Sequence, residues 1–220
     1  DELGEDWNHR LIAFDADPAA SASIGQVHRG RWYDGREVAV KVQYPGADQA
    51  LMSDLRQLAR VARSIGTMLP GFDVKPLIEE LLDRAKDELD YALEAQAQRA
   101  FAEAFRHDPA FVVPDVVEVG PRVLITEWLE SSSSLAAVIE SGTQTERNHY
   151  GELFTRFLFD GPHRTGMLHA DPHPGNFLVT VNIVDEGGST AWTTRSIAVR
   201  GTPITAAAGM PIVAVGDCMR

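Results

Sequence analysis

Residues 168–176, written LHADPHPGN, place a histidine, an aspartate and an asparagine in one short polar segment. Asp171 follows His169 by two residues, Asn176 follows Asp171 by five, and two prolines stiffen the backbone between them. In this spacing, H-x-D-x-x-x-x-N, the carboxylate can accept the proton of an attacking hydroxyl, and the amide oxygen can bind a metal ion on nucleotide phosphates. The segment therefore indicates phosphoryl transfer, with Asp171 as catalytic base and Asn176 as metal ligand, although a tight surface turn is the alternative interpretation.

A second group of candidate residues lies near the start of the chain. Residues 24–31 and 37–42 have strand-like compositions, and the Asp34-Gly35 pair between them predicts a β-hairpin. The preceding loop keeps the register of the phosphate-covering loop of protein kinases, G-x-G-x-x-G-x-V, with alanine in place of the first two glycines. The predicted nucleotide-binding positions in this loop are Ala20, Ser21, Ala22, Ser23, Gly25 and Val27. The added methyl groups should narrow or reshape the pocket.

The second strand of this hairpin ends its V-A-V-K run at Lys41, close to the motif that carries the phosphate-binding lysine of kinases. A lysine fixed on a strand beneath the loop can act as a point charge on the α- and β-phosphates. We therefore predict that Lys41 has this role. A lysine on a solvent-facing strand is the alternative.

Hydrophobic spacing of three and four residues predicts a helix from residue 47 to about residue 69 and a second, longer helix over residues 76–107. Asp90 and Glu94 are four residues apart and share one face of the longer helix. Small and apolar neighbours favour partial burial of Glu94 and an ion pair with Lys41. The gap between Lys41 and Glu94 is longer than an ordinary kinase needs, which indicates an inserted helix.

The remaining pattern alternates strands and helices. Strands are predicted over residues 111–118 and 122–129, and the second ends in a hinge at which the backbone around Glu127 would meet an adenine. Serines 131–134 are predicted to form a linker and helix cap, followed by a short helix over residues 135–140. An amphipathic helix is predicted over residues 146–164, with Tyr150, Leu153, Phe154, Phe157 and Leu158 facing inward, and a strand over residues 177–183.

Composition limits the classes of function. With 220 residues and 44% hydrophobic content, the chain can form a globular core. A net charge of −12, from 20 basic and 32 acidic residues, argues against nucleic acid as a partner. A single cysteine, Cys218, suits a reducing compartment, and the polar N-terminus and short apolar runs predict neither secretion nor a membrane span. The acidic start also fits a chain that begins within a longer protein.

Taken together, the segments ASIGQVHRG, VAVKVQYPG, ELDYALEA and GMLHADPHPGN resemble the UbiB family of atypical protein-kinase-like proteins, also called AarF-domain kinases. The resemblance covers about residues 11–180. It implies an α+β, protein-kinase-like fold with an N-terminal antiparallel sheet, inserted helices and a truncated helical C-terminal lobe. It also implies an alanine-rich loop at residues 19–23 and the acidic E-x-D motif at Glu88 and Asp90. The expected domains are a kinase-like N-lobe at 1–130, a partial C-lobe with the catalytic loop at 131–184, and an aberrant or disordered tail at 185–220.

The resemblance also implies a function. Its members look like ATPases or small-molecule kinases tied to isoprenoid quinone biosynthesis and membrane lipids. ATP and Mg²⁺ are the expected cofactors, with Lys41 and Glu94 paired at the nucleotide and Asp171 and Asn176 in the catalytic loop. The expected partners are ATP and a lipid or quinone precursor, with peripheral membrane association, and the expected location is the cytoplasm or a membrane surface.

The chain departs from the family pattern at two places. The K-x-G-Q motif that precedes the alanine-rich loop in the family is absent because this chain starts too late, and no D-F-G triplet follows Asn176. Asp185, nine residues after Asn176, is the acidic candidate for the second metal ligand. From there onward the helical periodicity of a kinase C-lobe is missing, which motivates the hypothesis of a frameshifted or truncated tail. Translating the neighbouring frames of the encoding DNA tests this hypothesis, and a lack of any D-F-G-like continuation would contradict it.

Two other functions are compatible with parts of the sequence. A nucleotide-binding pseudokinase fragment without turnover would retain Lys41 but lack a complete set of metal ligands. A metal-dependent hydrolase could instead use the alternating His169, Asp171 and His173 to bind a divalent ion and activate water. The hydrolase interpretation leaves the hairpin and Lys41 unexplained.

Overall fold

The computed structural model describes residues 3–4, 6–22, 24–66, 74–131, 133–169, 172–182 and 194–199, with backbone only at 65–66, 88, 180–182 and 194–199. The chain divides into two compact units. The first contains residues 1–102 and 113–130, and the second contains residues 103–112 and 131–220. Both units combine helices with β-strands, so the predicted α+β class is confirmed.

The described helices and strands have the following bounds. The helices are α1 (Trp7–Arg10), α2 (Ala47–Gly66), α3 (Lys75–Leu89), α4 (Tyr91–Phe105), α5 (Leu135–Ser141) and α6 (Gln144–Thr165). The strands are β1 (Leu11–Phe14), β2 (Ala20–Ala22), β3 (Gly25–Trp32), β4 (Glu37–Gln43), β5 (Phe111–Val112), β6 (Val116–Gly120), β7 (Val123–Glu127), β8 (Ser133–Ser134), β9 (Phe177–Asn182) and β10 (Thr194–Val199). A 3₁₀ turn, Pro174–Asn176, precedes β9.

The sheet of the first unit has the strand order β1-β3-β4-β7-β6, and β2 pairs with β3. These pairings are antiparallel. β3 and β4 form the predicted hairpin, whose turn passes through Gly35 with a φ of +93°. Glycine adopts this left-handed conformation without the steric cost that a side chain would add. The hairpin predicted from the Asp34-Gly35 pair is therefore confirmed.

Strand β4 has different surroundings on its two faces, because successive side chains of a strand point to opposite sides. One face contributes to a buried apolar cluster. This cluster consists of Leu11, Trp32, Val38, Val40, Val123 and Ile125. Lys41 lies on the opposite face, directly across from Leu124 of β7. Leu124 packs there with Tyr91 and Ala95 of α4, so α4 covers the face of the sheet that carries Lys41.

The prediction of one continuous helix over residues 76–107 is wrong, because α3 and α4 are separate helices. Asp90 stands between them with an extended backbone, φ −92° and ψ +94°. Its side chain accepts hydrogen bonds from the backbone N–H groups of Ala92 and Leu93, at 2.9 and 3.3 Å. A short acidic side chain at this position satisfies amides that have no partner within the helix. The apolar spacing continues across the break, so periodicity alone did not reveal it.

The strand predicted over residues 111–118 is also interrupted. β5 belongs to the second unit and β6 to the first, and residues 113–115 between them are not in a strand. Pro114 has no N–H to donate to a sheet. Its carbonyl oxygen accepts a hydrogen bond of 2.8 Å from the side chain of Gln98, which is buried. The proline therefore marks the place where the chain leaves one strand before entering the next.

The second unit is built around α6 and a sheet with the order β5-β10-β9-β8. α6 begins at Gln144, two residues before the predicted start, and a capping box between Thr143 and Glu146 stabilises its N-terminus. Phe157 is fully buried, and its ring contacts the rings of Phe105 and Phe111 at centroid distances of 5.1 and 5.5 Å. Tyr150 and Leu153 are buried with it, as predicted, while Phe154 and Leu158 are half-buried. The predicted short helix is α5, capped by Ser134, which accepts from the N–H of Ala137.

Residues 185–220 were expected to form an aberrant tail. Within that stretch the structure describes Thr194–Val199, which form β10 and pair antiparallel with β9 and parallel with β5. The rest of the stretch, including Asp185, lies outside the described residues.

Candidate functional site

An ion pair between Lys41 and Glu94 forms the centre of the candidate site in the first unit. Nζ of Lys41, on β4, lies 2.7 and 2.8 Å from the two carboxylate oxygens of Glu94, in the first turn of α4. The two side chains are 24% and 11% exposed, so solvent screens this pair less than it screens a surface pair. The predicted contact is present. Asp90, which was expected to share a helical face with Glu94, is exposed and caps α4 instead.

Tyr91 is a further member of this site that the sequence motifs did not indicate. Nζ of Lys41 lies 4.9 Å from the centroid of the Tyr91 ring, which is within the range of a cation–π contact. Tyr91 is 1% exposed. Burial, and then the negative charge of Glu94, raise the pKa of its hydroxyl group well above the ordinary value, so the group stays protonated. The spacing of three residues between Tyr91 and Glu94 on one helix was the signal that could have identified it.

The alanine-rich segment contains β2, which pairs antiparallel with β3. Ala20 lies opposite Val27, and Ala22 lies opposite Gly25. Ser21, between the two alanines, is exposed. Val27 is in turn directly opposite Lys41 on β4, so these two side chains lie on the same face of the sheet.

Gly25 has a structural reason to be glycine. A Cβ atom at this position would lie 2.0 Å from the carbonyl oxygen of Val42 on β4. The two backbones therefore approach each other more closely than any side chain allows. Ser23, which lies between β2 and β3 in the sequence, is outside the described residues.

The predicted hinge begins at Glu127, the last residue of β7. Its N–H donates to the carbonyl oxygen of Asp115 at 3.0 Å, and its carboxylate accepts from the N–H of Asp115 at 3.2 Å. The N–H of the next residue, Trp128, donates to the carbonyl oxygen of Glu37 at 3.0 Å. The guanidinium group of Arg29 lies 5.2 Å from the centroid of the Trp128 ring. Hydrogen bonds to the backbone of Asp115 and to the backbone of Glu37 therefore hold the start of the hinge.

The second unit contains the loop with the H-x-D-x-x-x-x-N spacing. His169 is 6% exposed, and its ring packs against the rings of Phe157 and Phe177 at centroid distances of 6.0 and 5.3 Å. His173 is exposed, and its Nδ1 accepts a hydrogen bond of 3.1 Å from the N–H of Gly175. One histidine therefore anchors the loop in the aromatic core, and the other caps the 3₁₀ turn.

Asn176 ends this turn immediately before β9 and is half-buried. Its N–H donates to the carbonyl oxygen of His173 at 2.9 Å. Asp171 and Asp185 lie outside the described residues, so their roles as catalytic base and second metal ligand stay predictions. Across the described part of the chain, no group of three or more His, Cys, Asp or Glu side chains is placed to hold a metal ion.

The structure thus gathers the predicted residues of the first unit around one face of its sheet. Lys41, Glu94 and Val27 lie together on that face, beside the alanine-rich segment. Asn176 is described in the second unit. The arrangement in the first unit can present an ammonium group, held by a carboxylate and an aromatic ring, to a phosphate-bearing ligand.

Comparison with known proteins identifies relatives along most of the chain. Residues 1–192 match the model of the ABC1 atypical kinase-like domain. The mitochondrial atypical kinase COQ8 of Schizosaccharomyces pombe is 34% identical over 199 residues, which cover 85% of this chain and 32% of that protein. The mitochondrial atypical kinase COQ8B of Danio rerio is 32% identical over 182 residues, covering 81% of this chain and 28% of that protein. The chain therefore spans about a third of the length of these relatives.

Other relatives carry related names. The chloroplastic protein ACTIVITY OF BC1 COMPLEX KINASE 1 of Arabidopsis thaliana is 30% identical over 186 residues, which cover 81% of this chain and 27% of that protein. AarF domain-containing protein kinase 1 of Mus musculus is also 30% identical, over 185 residues. These names agree with the family suggested by the motifs.

Solved structures similar to this chain include a mycobacterial relative and a fungal kinase. Rv3197 of Mycobacterium tuberculosis, solved in complex with erythromycin, is 43% identical with a TM-score of 0.79, and the match covers 90% of this chain and 48% of that one. The Rio2 kinase of Chaetomium thermophilum, solved as an ADP/Mg²⁺-phosphoaspartate complex, is 12% identical with a TM-score of 0.52 and covers 93% of this chain. The second likeness shows the fold alone, which is kinase-like as predicted.

None of the described helices is long and apolar enough to cross a membrane. The family model matches residues 1–192, and the matches to the COQ8, COQ8B and AarF-domain relatives cover 81–85% of this chain. This chain therefore belongs to the ABC1 atypical kinase-like family, the family of the UbiB and AarF-domain proteins.

Proposed function

We propose that this chain binds ATP with Mg²⁺ and transfers or hydrolyses the terminal phosphoryl group. The observation that carries the proposal is the Lys41–Glu94 ion pair, in which a central strand and the facing helix of a kinase-like domain each contribute one partner. This pair holds the phosphate-binding lysine in kinases. The Rio2 kinase, which shares the fold, was solved with ADP and Mg²⁺, and this supports the choice of nucleotide and metal.

Lys41 is suited to bind phosphate because its ammonium group has three N–H donors. Glu94 accepts hydrogen bonds at both carboxylate oxygens, and a third donor remains to meet a phosphate oxygen. Glu94 therefore orients the ammonium group without using all of its donors.

The base of the nucleotide would lie against the small side chains of the same sheet face. Val27 lies directly opposite Lys41, and Ala39 precedes Lys41 by two residues on the same strand. Both are half-buried, so a flat ring placed there would cover apolar surface. The proposal assigns the backbone around Glu127 to the edge of the base, and the β2–β3 hairpin to the phosphates.

The proposal assigns the chemical step to the loop of the second unit. Asp171 accepts the proton of the attacking hydroxyl or water, whose oxygen forms a bond to the γ-phosphorus as the bond to the ADP oxygen breaks. The amide oxygen of Asn176 and the carboxylate of Asp185 are hard oxygen donors, which is the ligand chemistry that Mg²⁺ prefers. Bound Mg²⁺ would neutralise charge on the phosphate oxygens. Lys41 would hold the phosphates in place while the proton moves to Asp171.

We infer that the acceptor is a quinone precursor or another lipid, or else water. The family membership supports this choice, and relatives named COQ8 belong to the same family. A lipid acceptor would require peripheral membrane association, and the relatives whose names state a location are mitochondrial or chloroplastic. The choice of acceptor is tested by the quinone content of cells that lack the gene for this protein. These cells carry either the wild-type chain or Lys41→Ala. Equal restoration by both would contradict a role for the nucleotide site in quinone synthesis.

The nucleotide site is tested by Mg²⁺-dependent binding and hydrolysis of ATP by the purified chain. Lys41→Ala should abolish binding, and Asp171→Asn should abolish turnover while leaving binding intact. Lys75→Ala is the matched control because Lys75 is an exposed lysine at the start of α3. Binding that is equally strong in the wild type and in Lys41→Ala would overturn the proposal.

The same experiment, together with metal analysis of the purified chain, separates the proposal from two alternatives. A nucleotide-binding pseudokinase would bind ATP through Lys41 but show no turnover in any variant. A metal-dependent hydrolase at His169, Asp171 and His173 would retain stoichiometric zinc after purification. The packing of His169 against Phe157 and Phe177, and the turn-capping role of His173, support structural roles for both rings.

A macrolide is a second ligand to test. The relative that is 43% identical over 90% of this chain was solved with erythromycin. Because this chain covers 48% of that protein, binding here requires that the macrolide site lies in the shared part. Titration of the purified chain with erythromycin, with and without ATP, decides whether this part of the family binds the compound.

A further inference from the structure

We propose that Tyr91 is a positioning residue for Lys41, and that the face of its ring holds the ammonium group where nucleotide phosphates would meet it. The inference rests on the nucleotide site proposed above and adds to it a residue with no assigned role. Tyr91 itself is 1% exposed, so it would act through Lys41 and would not touch the nucleotide.

The geometry encloses the ammonium group between two residues of one helical turn. Tyr91 and Glu94 are three residues apart in the first turn of α4, and such residues lie on the same side of a helix. Nζ of Lys41 lies 2.7 Å from a Glu94 oxygen and 4.9 Å from the centroid of the Tyr91 ring. A rotation of α4 would move both partners away from Lys41 together.

Packing fixes the ring in this position. Tyr91 and Ala95 form a buried cluster with Leu124, and Leu124 is the residue directly opposite Lys41 on β7. The ring is therefore held against the strand next to the lysine, and it cannot follow the lysine if that side chain swings. The four-carbon side chain of lysine is flexible, so a fixed surface beside it restricts the positions that the ammonium group can take.

An aromatic ring suits this task better than a second carboxylate. A second carboxylate would accept the remaining N–H donor and would give the cluster a net negative charge, which repels phosphate. A π-face attracts a cation through its quadrupole and carries no net charge. Lys41 can thus be held on two sides and still present a donor and its charge to the ligand.

The hydroxyl group of Tyr91 has no part in this role. Its oxygen is buried and has no hydrogen-bond partner among the described residues. A buried hydroxyl without a partner lowers stability, and its removal at constant shape is close to neutral or favourable. The requirement at position 91 is therefore an aromatic face, which phenylalanine also provides.

The test uses a series of variants at position 91 that keep the shape of the ring and change its charge distribution. Tyr91→Phe is compared with substitution by mono-, di- and trifluorophenylalanine, since ring fluorination weakens the attraction between the ring face and a cation. Calorimetric titration measures the affinity of the full chain for MgATP and for adenosine, which has no phosphates. Tyr91→Phe should bind MgATP within about twofold of wild type, and trifluorination should weaken MgATP binding about tenfold. Adenosine affinity should not change across the series.

Tyr91→Leu and Val119→Ala complete the design. Val119 packs against the same cluster and serves as the control for lost packing. The positioning role would be overturned if the affinity for MgATP stayed constant with fluorination. It would also be overturned if Tyr91→Leu and Val119→Ala lost MgATP binding and adenosine binding in parallel. If wild type and Lys41→Ala bind MgATP equally, the proposed function itself fails. If binding depends on Lys41 but not on fluorination, the role of Tyr91 alone fails.

Discussion

A methyl group on Gly25 would lie 2.0 Å from the carbonyl oxygen of Val42 and 2.9 Å from its carbonyl carbon. Val42 belongs to β4, which pairs with β3 in the register that places Gly25 opposite Gln43. The atoms in the way are backbone atoms of a central strand, which cannot move without disturbing Lys41 in the same strand. The sheet itself therefore requires glycine at this position, whether or not the hairpin binds a ligand.

We expect Gly25→Ala to lower the free energy of unfolding by about 2 kcal/mol, because the two strands must separate to admit the methyl group. Urea denaturation measures the change. Gly151→Ala is the matched control, since Gly151 lies within α6 and a Cβ there meets no atom within 4 Å. Alanine should stabilise that helical position by about 0.5–1 kcal/mol. Equal effects of the two substitutions would contradict the close approach at Gly25.

The Lys41–Glu94 pair should show coupling in a double-mutant cycle. We expect Lys41→Met and Glu94→Gln each to destabilise the chain, and the double variant to lose about 1–2 kcal/mol less than the sum of the two. The reason is that either single substitution leaves a half-buried charge without its partner. The coupling should fall only slightly in 0.5 M salt, because the two side chains are 24% and 11% exposed. Strict additivity would mean that the two groups do not pair in solution.

Asp90 should stabilise α4 as its cap. We expect Asp90→Ala to lower the free energy of unfolding by about 1 kcal/mol, because the N–H groups of Ala92 and Leu93 lose their acceptor. The affinity for MgATP should also fall, since the first turn of α4 carries Glu94. Asp87→Ala, at an exposed position of α3, is the control and should change neither quantity. An effect of Asp87→Ala as large as that of Asp90→Ala would exclude a specific capping role.

Asp108 should make the second unit sensitive to acid. Its carboxylate lies 2.8 Å from both Arg156 and Arg164, and its side chain is 9% exposed. Burial raises the pKa of Asp108, but hydrogen bonds from the Ala110 N–H, Arg164 and Arg156 outweigh this and hold the pKa below the ordinary value of 3.8. A carboxyl whose pKa is lower in the folded state contributes stability above its unfolded pKa and loses it as the pH falls through the folded value.

We therefore expect Asp108→Asn to lower the free energy of unfolding by about 2 kcal/mol at pH 7, and by progressively less below about pH 4. Melting temperatures from pH 7 to pH 2 measure the difference between the two proteins. Asp54→Asn, an exposed position on α2, should follow the wild type at every pH. A constant gap between wild type and Asp108→Asn across this range would show that the charge of Asp108 does not contribute.

Local patterns predicted several features correctly. The hairpin at Asp34-Gly35, the Ser134 cap before α5 and the amphipathic helix α6 all depend on residues that are close in sequence. Turn conformation, capping and helical periodicity are determined by such neighbours. The Lys41–Glu94 contact was predicted across 53 residues because a shared helical face and apolar neighbours favoured burial of Glu94.

Other features were missed because the local signal was ambiguous. The apolar stripe continues through Asp90, so periodicity predicted one helix, although the side chain of Asp90 caps a second one. The strand-like residues around Pro114 suggested one strand, but the proline separates β5 from β6. In both cases the hydrogen-bonding capacity of one residue ended the helix or strand, although the hydrophobic pattern continued past it.

By itself, the sequence determined the kinase-like family, the β3–β4 hairpin and the residue types of the candidate nucleotide site. These follow from motif spacing and periodicity, which are properties of the chain alone. Only the tertiary structure decided that the ring of Tyr91 lies beside Lys41. It also decided that position 25 must be glycine, because the backbone of Val42 leaves no room for a side chain there. Both relationships depend on how one strand or helix is set against another to within an ångström, and packing across the whole sheet determines that offset.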